Sequence, residues 1–125
     1  MNTILLVDDH HAFRTVFSEI LRQRGYMVLE AGTRADVEHL TDQHPGPIDL
    51  AVIEAVLSTD NGAELAKRVA IHHPRAKILF ISEQAPEALR MSGLLPVGSQ
   101  FLGKPFGAEE FCSRVEELLA APASR

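Results

Sequence analysis

Cysteine is nearly absent, long apolar runs are missing and charge of one sign is nowhere gathered; each shortage removes a class of protein. The single cysteine, Cys112, leaves no intrachain disulfide, and its apolar neighbours fit a small buried side chain in a reducing cytoplasm. The first apolar run, Ile4 to Val7, is cut off by Asp8 and Asp9. That is far short of a signal-peptide core or of the ~20 residues that span a bilayer, so neither export nor membrane insertion is expected. The 12 lysines and arginines are scattered from Arg14 to Arg125 against 17 acidic residues, for a net charge of -5. No basic stripe forms, which argues against direct nucleic-acid binding. Repeats, linkers and low-complexity tracts are missing too, and only the end of the chain, from Ala120 to Arg125, has a frayed composition.

What is present suits an ordinary globular chain: 46% hydrophobic and 23% charged over 125 residues. That is enough for one domain over 1–125, with a core of about 3–120 and a tail at 121–125, and leaves no second folded unit. Three unalternated apolar runs, Ile4 to Val7, Leu50 to Ile53 and Ile78 to Ile81, fit parallel strands covered on both faces. Weaker strands are expected from Tyr26 to Ala31, after the turn signal Arg24-Gly25, and from Ser99 to Leu102, closed by Gly103-Lys104-Pro105.

Helical patterns fill the intervals. Phe13, Val16, Phe17, Ile20 and Leu21 share one face of a first helix. Thr33 to Asp36 caps a second, with Val37 and Leu40 inward, and Asp60-Asn61 caps a third carrying Leu65, Ala66 and Val69. Pro86 opens a short fourth that Gly93 and Pro96 end, while Ala108, Phe111, Cys112, Val115, Leu118 and Leu119 define a fifth. This (βα)5 order with right-handed crossovers predicts an α/β fold, an open doubly wound parallel sheet whose ligands sit at the carboxyl ends of the strands.

The polar residues at those ends are Asp8 and Asp9 after the first strand, Glu54 after the third, Ser82 after the fourth and Lys104 after the fifth. Standing alone, each has a plainer reading: a helix cap, a loop hydroxyl, a solvated lysine. Their convergence gives them weight. Clustered carboxylates repel, and a hard cation with oxygen ligands or a nearby ammonium relieves the repulsion; Mg²⁺ and Lys104 would supply both. The pairs His10-His11 and His72-His73 lack zinc-ligand spacing and read as exposed or dipole-neutralising residues at helix ends.

Taken in order, Ile4-Leu5-Leu6-Val7-Asp8-Asp9, Ile81-Ser82 and Phe101-Leu102-Gly103-Lys104-Pro105-Phe106 resemble the strand ends and motifs of receiver domains in two-component signalling. The resemblance covers Ile4 to about Leu119. It implies a flavodoxin-like sheet of strand order 2-1-3-4-5, with Mg²⁺ bound weakly by Asp9 directly, Asp8 through water, Glu54 and the Val56 carbonyl. It also implies that Ser82 and Lys104 contact phosphoryl oxygens and that Phe101 acts as an aromatic switch. Family members accept a phosphoryl group from a kinase histidine on an aspartate, but Ile48 to Glu54 places glutamate at that position; Gly62, eight residues later, fixes the alignment. Ser58 stands where the family usually has proline, and Phe101 where tyrosine is frequent.

Glutamate is one methylene longer than aspartate, so it resembles the phosphorylated product more than the substrate. The reading that follows is an atypical receiver, not an enzyme, with Glu54 partly mimicking phosphorylation. Such a module would bind a sensor histidine kinase or another signalling protein through its helix 4, strand 5 and helix 5 face, as a monomer or weak homodimer in the cytoplasm. The segment Gly93 to Gly98 resembles receivers at the ends of hybrid kinases. The competing reading is a conventional receiver that takes phosphate on Glu54 or Asp60. A haloacid-dehalogenase-like phosphatase would need aspartate at His10, and a nucleotide site would be repelled by Asp8 and Asp9.

Overall fold

The computed structural model describes residues 1–122; of the expected frayed tail, residues 123–125 lie outside the described residues. Ten elements alternate along the chain: β1 (Thr3–Val7), α1 (His11–Gln23), β2 (Met27–Ala31), α2 (Arg34–Gln43), β3 (Leu50–Glu54), α3 (Gly62–His72), β4 (Lys77–Ser82), α4 (Pro86–Met91), β5 (Gln100–Gly103) and α5 (Ala108–Ala120). The five strands form one sheet in the order β2-β1-β3-β4-β5, and every pairing is parallel. This is the flavodoxin-like architecture anticipated above.

Alternation along the central strands divides the core between the two faces of the sheet. Leu5, Val7, Ala51, Ile53 and Phe80 pack with Val37 of α2, Leu65 and Val69 of α3, and Leu89 of α4. Ile4, Leu6, Leu50, Val52, Leu79 and Ile81 pack on the other face with Leu21 of α1 and Phe111, Val115 and Leu118 of α5. Both faces are covered, so the strands carry apolar residues at consecutive positions.

Local chemistry sets the boundaries. The Thr33 side chain accepts from the Asp36 N–H and that of Asn61 from the Glu64 N–H, so both expected caps form. Pro86 occupies the first turn of α4. Gly25, with φ +93°, closes α1 in a conformation that side chains disfavour.

Three expectations need correction. Tyr26 and Ser99 fall outside the strands, whereas β3, β4 and β5 run on through Glu54, Ser82 and Gly103. The ladder continues into these polar ends because it is made by backbone groups, whatever the side chain. Val16 is 54% exposed: the inner line of α1 runs through Ser18 and Leu21, which are buried, and Val16 lies about opposite on the helical wheel. His73 is neither free nor a ligand. Its Nδ1 accepts from the Ile48 N–H at 3.3 Å and its Nε2 meets the Thr41 carbonyl at 3.1 Å. These two bonds tie the end of α2 to the approach to β3.

Gly62 opens α3 directly against the end of β3. A Cβ there would run into the Glu54 carbonyl oxygen and come within 3.0 Å of Ala55 Cα. Gly62→Ala should lower stability by about 1–3 kcal/mol, measured by urea unfolding, because backbone and not a flexible side chain must give way. Wild-type stability with unshifted Glu54 and Ala55 amide resonances would contradict this packing.

Candidate functional site

The strand ends bring four of the expected residues together. Asp8 follows β1 and is 1% exposed, Glu54 ends β3 at 7%, and Ser82 ends β4 at 2%. Lys104 follows β5, held by its N–H donating to the Ser82 carbonyl at 2.8 Å; the Lys104–Pro105 peptide is cis.

The Lys104 ammonium donates to Asp8 Oδ2 at 2.8 Å and to Glu54 Oε1 at 2.9 Å, so one cation is shared by two buried carboxylates. The remaining oxygens are also occupied. Asp8 Oδ1 accepts from the His10 N–H at 2.9 Å, and Glu54 Oε2 from the Val56 N–H at 3.1 Å. Burial disfavours the ammonium, but the hydrogen bonds and charges of Asp8 and Glu54 outweigh it and raise the Lys104 pKa above its ordinary 10.5.

Asp9 is turned elsewhere. Its Oδ2 accepts from the Ser58 N–H at 2.6 Å and from the Ser58 hydroxyl. Burial pushes the Asp9 carboxyl up, but the Ser58 donors, its own backbone and the Lys104 charge hold it below its ordinary 3.8. Ser82 Oγ accepts from the Gln84 N–H at 3.2 Å, so its hydroxyl turns into its own loop. Phe101 is half-buried and packs against the core on the α3 and α4 side of the sheet. Val56 is exposed in a loop closed by an antiparallel bridge to Asn61. Asp60, the alternative acceptor, pairs with Arg34 at 2.9 Å.

Oxygen donors suit Mg²⁺ by type, but this arrangement does not fit it. Lys104 occupies the space between Asp8 and Glu54, Ser58 holds Asp9, and among the described residues no three His, Cys, Asp or Glu side chains are placed to hold a metal ion. The ligand set expected at Asp8, Asp9, Glu54 and Val56 is therefore not assembled. The ammonium supplies the charge compensation a cation would otherwise give.

Several supporting roles gave no signal in the sequence. Arg14 reaches back from α1 to donate to the Asp8 carbonyl at 2.7 Å while pairing with Glu30 of β2 at 3.3 Å, which fixes the loop carrying both aspartates. Phe13 lies under the ammonium, its ring centre 4.1 Å from Lys104 Nζ. With Phe17 and Phe106 it lines an open groove of about 630 Å³ beside the site. His10 caps α1 by accepting from the Phe13 N–H, the plainer role weighed above for the acidic pair. A contact across 16 or 96 residues has no local pattern to announce it.

The chain matches the model of the response regulator receiver domain over residues 4–116. It is 30% identical over 122 residues to the response regulator receiver protein CpdR of Brucella abortus, covering 97% of this chain and 99% of that one. The sensor kinase CckA of the same species is 31% identical over 119 residues, covering 94% of this chain. The chain spans 12% of that kinase and 48–50% of the transcriptional regulators that it also matches. Among solved structures, the non-phosphorylated HemR receiver domain from Leptospira biflexa superposes with a TM-score of 0.80 at 31% identity, covering 100% of this chain and 99% of that one.

Lys104→Met would leave two buried carboxylates facing each other, and should destabilise the fold by about 3 kcal/mol at neutral pH in urea unfolding. In a Glu54→Gln background the loss should be smaller, since one uncompensated charge is gone; equal losses would contradict the shared-cation arrangement. Lys104 titrates higher in the fold than in the unfolded chain, so its contribution is complete below about 10.5 and fades as pH rises through the higher folded value.

Proposed function

The chain belongs to the response-regulator receiver family, and on that premise we propose that it is a pseudo-receiver of two-component signalling: a protein-binding module in which Glu54 stands in for the phosphorylated aspartate. The observation that carries this reading is the 2.9 Å contact from Lys104 Nζ to Glu54 Oε1, with Oε2 engaged by Val56. An acceptor carboxylate attacks a phosphodonor with a free oxygen aligned to the phosphorus. Glu54 offers its oxygens to the protein and places negative charge beside the lysine that would meet the phosphoryl group.

The mimicry is partial. A phosphoryl group carries about -1.5 to -2 charge on three oxygens, against -1 on two for a carboxylate. The bias toward the active-like arrangement equals only the difference in interaction energy between the two states. Because Asp8 also holds Lys104, losing the contact with Glu54 does not leave the ammonium unpaired, and that difference is about 1 kcal/mol or less, or about fivefold in population. Ser82, turned to its own loop, adds nothing to this bias. The domain thus offers tonic binding and not a full switch.

The face formed by α4, β5 and α5 is the docking surface for a sensor kinase or another signalling protein. Met91 at 89% and Val97 at 96% exposure support it, placing apolar side chains in solvent at the end of α4 and before β5. Similarity to a sensor kinase agrees with a place near kinase regulation. Mg²⁺ would supply charge neutralisation in receivers that accept phosphate; here the Lys104 ammonium supplies it to Asp8 and Glu54.

Exposure to acetyl phosphate with Mg²⁺, followed by intact mass, should leave the wild-type chain without a stable phosphoryl adduct. Glu54→Asp should gain one, because the shorter side chain withdraws from Lys104 and reopens the in-line approach. A stable adduct on the unaltered chain, at Glu54 or Asp60, would mark it as a conventional phosphoacceptor.

A further inference from the structure

We infer that Phe13 is a positioning residue for Lys104: the face of its ring serves as the third partner of the ammonium and holds it against the two carboxylates. This deepens the proposed function and rests on it only for what the Lys104 contact with Glu54 signals.

An ammonium carries three N–H donors. Two go to Asp8 Oδ2 at 2.8 Å and Glu54 Oε1 at 2.9 Å. Among the described residues no third oxygen bonds to Nζ, and the Lys104 side chain is only 10% exposed, which leaves little room for water. The ring centre of Phe13, 4.1 Å from Nζ, takes that place. A phenyl face carries the negative part of the ring quadrupole, so it attracts the cation where an aliphatic side chain would only exclude water.

The ring itself is held from several directions. The Phe13 N–H donates to His10 Nδ1 at 3.3 Å in the first turn of α1, and Arg14, next in the chain, is tied to the Asp8 carbonyl at 2.7 Å. Phe17, one turn on, stacks on Phe13 with ring centres 4.5 Å and planes 26° apart. Phe106 meets Phe13 edge to face at 5.7 Å and is itself stacked on Phe111, a fully buried residue of α5. Burial alone does not account for this ring, because Phe13 is half-buried and lines the open groove together with Lys104. Without an attractive face on that side, the ammonium could turn from the carboxylates into the groove and be hydrated there.

The exchange rate of the Lys104 ammonium protons with water, read by side-chain NMR of the full chain, tests the inference. Phe13→Leu keeps an apolar side chain but loses the face, and should speed that exchange about two- to fivefold, the scale of a partly exposed cation–π contact. Phe13→Tyr, which keeps the face, should restore the wild-type rate. Phe17→Leu opens the same groove one ring further from the ammonium and should have a smaller effect. A wild-type rate in Phe13→Leu, or a rate in Phe13→Tyr or Phe17→Leu as fast as in Phe13→Leu, would overturn the role of the ring. Should Phe13→Leu fail to fold, Phe13→Met decides in its place. Glu54→Gln is read in the same way. If the Lys104 signal does not move there while Phe13→Leu speeds exchange, the Glu54 reading falls and the positioning role of Phe13 stands.

Discussion

Lys104 carries one positive charge into a space bounded by the carboxyl ends of β1, β3 and β5, and the arrangement of the whole upper edge of the sheet depends on it. Asp8 and Glu54 are both buried, and each gives one oxygen to the same ammonium. Without that cation the two carboxylates would have to separate, gain protons or recruit an ion. With it, three strands that are distant in sequence are joined at one point. Arg14 secures the Asp8 loop from below, and Phe13 closes the open side of the ammonium.

Two departures from the family pattern then act together. The extra methylene of Glu54 lets its carboxylate reach the lysine while its second oxygen turns back to Val56. Ser58 draws Asp9 outward, so the third carboxylate does not add to the buried negative charge. Among the described residues, the charges of Asp8, Glu54 and Lys104 are satisfied by one another. This internal pairing is what the proposed pseudo-receiver reading rests on.

Much of this is legible in the sequence. Ile4 to Val7, Leu50 to Ile53 and Ile78 to Ile81 read as strands because burial on both faces leaves a continuous apolar run, and the strand ends named Asp8, Glu54 and Lys104 as neighbours. The ends of the strands were less clear, since Glu54 pairs with Ile81 and Ser82 with Gly103 through backbone groups that polarity does not reveal. Val16 was misplaced because a helix with five apolar residues does not say which edge of the stripe faces inward. The Ser58 contact with Asp9 was hidden altogether: loop residues carry no period, and both partners are polar and exposed.

The central claim is that Glu54 holds Lys104 in place of a phosphoryl group and thereby biases the signalling face. It is tested most directly by side-chain ammonium NMR of Lys104, with backbone amide spectra, in wild type and Glu54→Gln, which removes the charge at nearly constant shape. The account predicts a Lys104 ammonium signal protected from solvent exchange in wild type that moves and broadens in the variant, with coupled shifts at Ser82, Arg90 and Phe101. A Lys104 signal that exchanges like a free lysine, and amide spectra that coincide at those three residues, would contradict it and leave the domain an inert scaffold.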